Sequence, residues 1–144
     1  MRIAALVVLF GAGCQAEVWK MNAARSTFDG DTRPKALTVR IEPHAGSEVF
    51  TIDRVEADGR FTTLSTILYL DNTARDFEER GCSGTQSSRR EDARTVEILR
   101  KCASGEWIGF LRRMAAKPTE LILDITEQYP DGRRFARRPM LEIQ

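Results

Sequence analysis

Three observations in the sequence predict an all-β protein. Apolar residues recur at every second position, short glycine-containing turn signals separate the alternating runs, and no stretch of ten or more residues carries a helical stripe. The best helical candidate, Thr73 to Arg80, is short and polar. The expected fold is an antiparallel up-and-down meander of about 8–10 strands, and rolling it into a closed or nearly closed barrel hides the two edges it would otherwise expose.

The alternation is plain in three places. Leu37, Val39 and Ile41 alternate with Thr38, Arg40 and Glu42, Phe50 and Ile52 with Thr51 and Asp53, and Leu121, Leu123 and Ile125 with Ile122, Asp124 and Thr126. Asp58-Gly59, Ser104-Gly105 and Asp131-Gly132 read as tight hairpin loops, and His44–Ser47 and Ala116–Thr119 as four-residue ones. Strands are therefore expected near 17–22, 36–43, 48–57, 60–70, 75–79, 82–89, 95–103, 106–115, 120–128 and 133–143.

These turns also predict register. Loop 44–47 sets Ile41 opposite Phe50 and Val39 opposite Ile52, and Asp58-Gly59 sets Phe50 opposite Ile67. Ser104-Gly105 sets Cys102 opposite Trp107 and Ile98 opposite Leu111. Loop 116–119 sets Phe110 opposite Ile125 and Met114 opposite Leu121, but also Leu111 opposite Asp124 and Arg113 opposite Ile122. Apolar pairs stabilise a sheet, so the last two mark a more polar face or a bulge.

The chain has 144 residues, 22 Lys+Arg against 21 Asp+Glu, 42% hydrophobic residues and a mean hydropathy of −0.36. These are the proportions of one globular domain, and they exclude a transmembrane helical bundle, a disordered tail and a multidomain enzyme. The domain proper is expected over 17–144.

Residues 1–16 read as an export signal. Met1-Arg2 start positive, Ile3 to Phe10 are apolar, and Gly11 to Ala16 are small or polar. Eight apolar residues are too few to span a bilayer, which needs about 20. Cleavage after Ala16 would leave Glu17 first and a free protein; alternatively Ala12-Gly13 before Cys14 resembles a lipobox, with signal 1–13 and an acylated Cys14. Both routes remove Arg2 and leave 21 basic and 21 acidic residues, a net charge of zero. Nucleic acid is a poor partner for such a chain, and a membrane is a partner only through a lipid on Cys14. The expected location is the periplasm or cell envelope.

Cys82 and Cys102 remain as an even pair for an oxidising compartment. Each lies ten residues from Asp92, so a hairpin turning there sets them opposite one another, within disulfide range. A redox or metal role would call for Cys-x-x-Cys or nearby histidines, and the sequence has neither.

Trp19-Lys20-Met21-Asn22-Ala23-Ala24-Arg25-Ser26, Thr38 to Pro43, Val55 to Gly59, Arg94 to Ile98 and Asp131-Gly132-Arg133 together resemble a family of small secreted bacterial proteins. Their mature part begins with a Gly-x-Trp-Lys-Leu-Asn-x-Ala-Lys-Ser-like segment, and the resemblance implies no established activity. The Trp-Lys opening also resembles the Gly-x-Trp of lipocalin-like barrels, whose indole closes the barrel floor; here Glu17 stands in place of that glycine.

Catalytic chemistry finds little support. The single histidine, His44, falls in a turn, and there is no His-Glu-x-x-His run, glycine-rich phosphate loop or Gly-x-Ser-x-Gly elbow. The pairs Asp53 with Glu56 and Asp71 with Asp76 read as solvated strand ends rather than acid–base dyads. No catalytic residue, metal or cofactor is expected.

Arginines and aromatics are left. Arg89-Arg90, Arg112-Arg113, Arg133-Arg134 and Arg137-Arg138 are doublets, and on a strand one member of each must face each side. Inward arginines, with Arg112 and Arg138 as candidates, could hold a carboxylate or phosphate head while Trp107, Phe110 and Ile125 enclose an apolar tail. Alternatively the arginines pair with the rim carboxylates Glu78, Glu79, Glu91, Glu97 and Glu127. Two functions follow: a barrel binding a small amphipathic or anionic ligand such as a fatty acid, or an envelope interaction module with a filled core. Ligand, protein partner and oligomeric state are not specified.

Overall fold

The structure, a computed structural model, describes residues 16–30, 33–79 and 81–144. The proposed signal and Cys14 lie outside the described residues apart from Ala16. The alternating segments form β1 (Glu17–Met21), β2 (Thr27–Phe28), β3 (Ala36–His44), β4 (Ser47–Val55), β5 (Phe61–Leu68) and β6 (Arg75–Glu79). They continue as β7 (Cys82–Asp92), β8 (Thr95–Cys102), β9 (Trp107–Met114), β10 (Glu120–Gln128), β11 (Arg134–Arg138) and β12 (Met140–Ile143). All named pairings are antiparallel, as a meander with short turns requires.

The sheet runs β5-β4-β3-β1-β12-β10-β9-β8-β7-β6, with β11 between β10 and β2. The first strand thus lies beside the last one, joining the meander β3–β5 to the meander β6–β10. The expected strand over 133–143 breaks at Pro139, which has no N–H to give a ladder. Its halves, β11 and β12, pair with successive stretches of β10.

Register follows expectation in two hairpins and departs from it in three. Ile41 faces Phe50, Val39 faces Ile52, and Phe110 faces Ile125 as anticipated. So do the mismatched pairs Leu111–Asp124 and Arg113–Ile122, which belong to the outer face. At Asp58-Gly59 and Ser104-Gly105, however, the loops hold three residues. Glu56 N–H bonds the Arg60 carbonyl and Cys102 N–H that of Glu106, bracketing a glycine at φ 88° and 97°. A left-handed last loop residue is the role glycine fills without a Cβ penalty.

One added residue shifts every pairing beyond it. Phe50 therefore faces Thr66 rather than Ile67, Ile98 faces Phe110 rather than Leu111, and Trp107 faces Lys101 rather than Cys102. The shift aligns Ile98, Phe110 and Ile125 in one inward row across β8, β9 and β10.

In the third, β7 slips against β8 between Arg90 and Asp92, so Gly84 rather than Cys82 lies opposite Cys102. The two cysteines still bond, diagonally, with Cα atoms 5.0 Å apart. A displacement of two residues keeps Cys82 on the same face.

The sheet curls into a half-barrel of the nearly closed, lipocalin-like kind, filled at mid-height by Trp19, Val39, Phe50, Ile98, Leu123 and Leu141, all at most 1% exposed. Each such side chain contributes roughly 1.5–3 kcal/mol by leaving water. The terminal strands β5 and β6 are not paired with each other. The β5 side is tied instead to β7: Gln86 Nε2 donates to Thr66 Oγ1 at 2.9 Å, and Leu70 N–H, just beyond β5, donates to Ser88 Oγ at 3.0 Å. A lateral groove of about 400 Å³ remains between β5 and β6.

Candidate functional site

Following alternate residues along the strands gives the interior its composition. β4 turns inward Glu48, Phe50, Ile52 and Arg54; β8 Val96, Ile98, Arg100 and Cys102; β9 Ile108, Phe110, Arg112 and Met114. Phe50, Ile52, Ile98 and Phe110 form the apolar middle, flanked by Glu48 and Arg54 on β4, by Arg100 on β8 and by Arg112 on β9. Two cavities with mixed apolar and charged walls lie toward the two ends of these strands.

The first, of about 290 Å³, has apolar walls formed by Leu37, Ile52, Leu64, Ile108, Phe110 and Ile125. Three arginines reach into it beside three glutamates. Arg54 Nε meets Glu56 Oε1 at 3.1 Å, Arg100 Nη1 meets Glu79 Oε2 at 3.2 Å, and Arg137 Nη1 meets Glu127 Oε2 at 3.3 Å.

Arg100 is the most enclosed, with a side chain only 2% exposed. Its Nε donates to Gln86 Oε1 at 2.8 Å, and its guanidinium carbon lies 4.3 Å from the Phe77 ring centre and 5.0 Å from that of Phe110. Nη2 is buried and has no hydrogen-bond partner, and the same holds for Arg137 Nε. An unmet buried donor costs about 1–3 kcal/mol. Burial lowers the Arg100 pKa to about 10, Glu79 partly opposing it, and burial raises that of Glu79, Arg100 partly opposing it.

The second cavity, of about 340 Å³, lies at the opposite end, where Glu48, Arg90, Arg94 and Arg112 meet Ile41 and Val96. Arg112 Nη2 donates to Glu48 Oε2 at 2.7 Å and Oε1 at 3.1 Å, and Arg90 Nη2 donates to the same Oε1 at 2.8 Å.

The five residues expected to bind ligand separate accordingly. Phe110 and Ile125 line the first cavity, and Arg112 lines the second, facing inward. Arg138 does not turn inward: it is exposed and donates to Asp124 Oδ1 at 2.5 Å, while its neighbour Arg137 is the inward member of the doublet. Trp107 does not enclose the interior either. The three-residue loop before it places it on the outer face, packed over Gly109. Trp19, by contrast, is a core residue.

Doublet logic holds at Arg89-Arg90, where Arg90 turns inward and Arg89 outward to Glu91 and Glu97, but not at Arg133-Arg134, where Arg133 lies in the turn before β11 and both are exposed. Sequence reasoning missed Arg54, Arg100 and Glu48, while Glu79, expected as a carboxylate partner for arginine, does pair with one. Parity was the available signal, since Arg100 shares a face with Ile98 and Cys102, and Arg54 and Glu48 share one with Phe50 and Ile52. Attention to doublets passed over single arginines.

His44 is exposed in the β3–β4 hairpin, 3.7 Å from Glu42 Oε1. Asp53 accepts from Thr63 Oγ1 at 2.9 Å, and the hydrogen bonds from Arg75 hold the Asp71 carboxyl well below its usual range. Among the described residues no group of three or more histidines, cysteines or carboxylates is placed to hold a metal ion. No protein-family model matches the chain, and no curated protein matches it.

Proposed function

We propose that this protein is an exported, non-enzymatic binding protein that holds a small amphipathic anion, such as a short fatty acid, in the cavity between Arg54, Arg100 and Arg137. The observation that carries this reading is Arg100, which lines a cavity of both charged and apolar walls and keeps a buried Nη2 without a hydrogen-bond partner. The head group meets Arg100 and Arg137, and the tail lies against Phe110, Ile125 and Leu64. Such a division of polar and apolar contacts is typical of small-ligand sites.

Export is supported by the Cys82–Cys102 bond, which suits an oxidising compartment, and by a first strand that begins at Glu17, directly after the proposed cleavage point. Acylation at Cys14 is the alternative processing, and mass spectrometry of the protein from its own envelope distinguishes the two.

Titration calorimetry with octanoate and octyl sulfate tests the binding. One ligand per chain is expected, with a loss of about tenfold or more in Arg100→Met, since a charge-assisted hydrogen bond is worth about 1.5–3 kcal/mol. Equal affinity in the variant would refute the assignment.

A second reading, an interaction module, is favoured by one observation: Phe61, Ile67 and Tyr69 are 66%, 48% and 44% exposed on and just beyond β5, the strand at the edge of the sheet. An extended peptide could add to that edge. Loss of peptide capture, with unchanged octanoate binding, in Phe61→Ser/Ile67→Thr would favour it.

A further inference from the structure

The opposite end of the barrel differs from the octanoate cavity in its charge. There each arginine has its own glutamate, whereas here one carboxylate, Glu48, serves two guanidiniums, Arg90 and Arg112. Arg94 lines the same cavity, and the further carboxylate on its wall is Glu17. Three positive groups therefore stand against two negative ones around about 340 Å³ of space. Asp92, next to Arg94 in the turn, accepts the Arg94 N–H at 2.7 Å and does not line the cavity.

Arg112 gives this imbalance a direction. Its side chain is 7% exposed, Nη2 is taken up by Glu48, and Nη1 is buried without a partner. Burial draws its pKa down, Glu48 opposing the fall and Arg90 adding a smaller part to it. Arg90 and Arg94 remain partly or wholly exposed at the mouth.

We propose that this mouth is a second, separate binding site, for a phosphate-class oxyanion held by Arg90, Arg94 and the free Nη1 of Arg112. A carboxylate is satisfied by one guanidinium fork, whereas a tetrahedral oxyanion of higher charge uses donors from several directions. Here they come from β7, from the turn after it and from β9. Ile41, Val96 and Met114 beside the donors give an ester's organic part an apolar contact. The anion is free phosphate or the head group of a phospholipid, the chemistry at the arginines being the same.

Calorimetry with sodium phosphate at constant ionic strength, chloride being the control, tests the site, with amide shifts of Val96 and Met114 followed by NMR. One phosphate per chain is expected, moving those amides, with affinity at least about tenfold weaker in Arg90→Ala/Arg94→Ala, whose side chains lie at the surface. Glu48→Gln removes the competing negative charge and should bind phosphate several-fold more tightly, which a purely structural cluster would not do. Phosphate that leaves Val96 and Met114 unmoved, or binds the double variant equally well, overturns the site, and so does weaker binding in folded Glu48→Gln.

Sedimentation with vesicles of phosphatidic acid in phosphatidylcholine identifies the source. Binding that phosphate displaces assigns a head group, and phosphate binding without vesicle binding assigns the free ion. Octanoate binding is measured alongside and should stay unchanged in Arg90→Ala/Arg94→Ala.

Discussion

Glu48 on β4 and Arg112 on β9 meet at 2.7 Å across the barrel, 64 residues apart in sequence and both more than nine-tenths buried. They join the meander β3–β5 to the meander β6–β10 at a place where no backbone ladder does so. Replacing one partner leaves an uncompensated charge in the interior. Glu48→Ala is therefore expected to cost about 3–5 kcal/mol in urea unfolding, whereas Glu48→Leu with Arg112→Met, apolar at both positions, should recover most of that loss. A single-variant cost below about 1 kcal/mol would mean that the pair does not hold the barrel together.

The Cys82–Cys102 bond closes a loop with a sequence separation of 20. Opening it should cost about 3 kcal/mol, chiefly by freeing the unfolded chain. Cys102 lies two residues beyond Arg100 on the same face, and Cys82 is paired with Glu79. Cys82→Ser/Cys102→Ser should therefore lower the melting temperature and weaken octanoate binding. Calorimetric melting with and without reductant checks the first effect, and titration checks the second.

Burial raises the pKa of Glu79 above its unfolded value, so the protein gives up part of its stability as pH rises from the ordinary glutamate range through the raised folded value. Glu79→Gln should flatten that part of the stability–pH curve, measured by urea midpoints between about pH 4 and 7. Protonating Glu79 also releases Arg100 Nη1. Octyl sulfate, whose charge does not change in this range, should thus bind more tightly at pH 5 than at pH 7.5 in the natural protein and equally in Glu79→Gln.

Gly84 sits where β7 passes against β8 near the disulfide. A Cβ there would lie 1.9 Å from the Lys101 carbonyl oxygen, a backbone atom that moves only with the strand. Gly84→Ala should destabilise by about 1–3 kcal/mol through overpacking. Gly46→Ala serves as a comparison: its Cβ would meet nothing within 4 Å, so its cost should come only from the left-handed backbone at φ 76°. Paired unfolding curves for the two variants check the difference.

Much of the barrel was legible one strand at a time. Side chains two residues apart share a face, so Leu37, Val39 and Ile41 announced a buried row without reference to any other strand, and the arginine doublets announced an inward charge at Arg112, though of Arg137 and Arg138 it is the former, not the expected latter, that turns in. What the strands do to one another was less legible. Whether the Ser104-Gly105 loop holds two residues or three is not visible in its composition, yet it decides that Phe110, not Leu111, joins Ile98, and it puts Trp107 outside.

By itself the sequence determined the all-β class, the inward and outward faces of most strands and the pairing of Cys82 with Cys102, because period and turn chemistry act between neighbours along the chain. Tertiary structure alone decided that β1 closes against β12, that Arg100 and Glu79 share a cavity, and that Glu48 answers two arginines. Partners of this kind come from segments tens of residues apart. Their meeting depends on the summed registers and curl of the whole sheet, which no local pattern encodes.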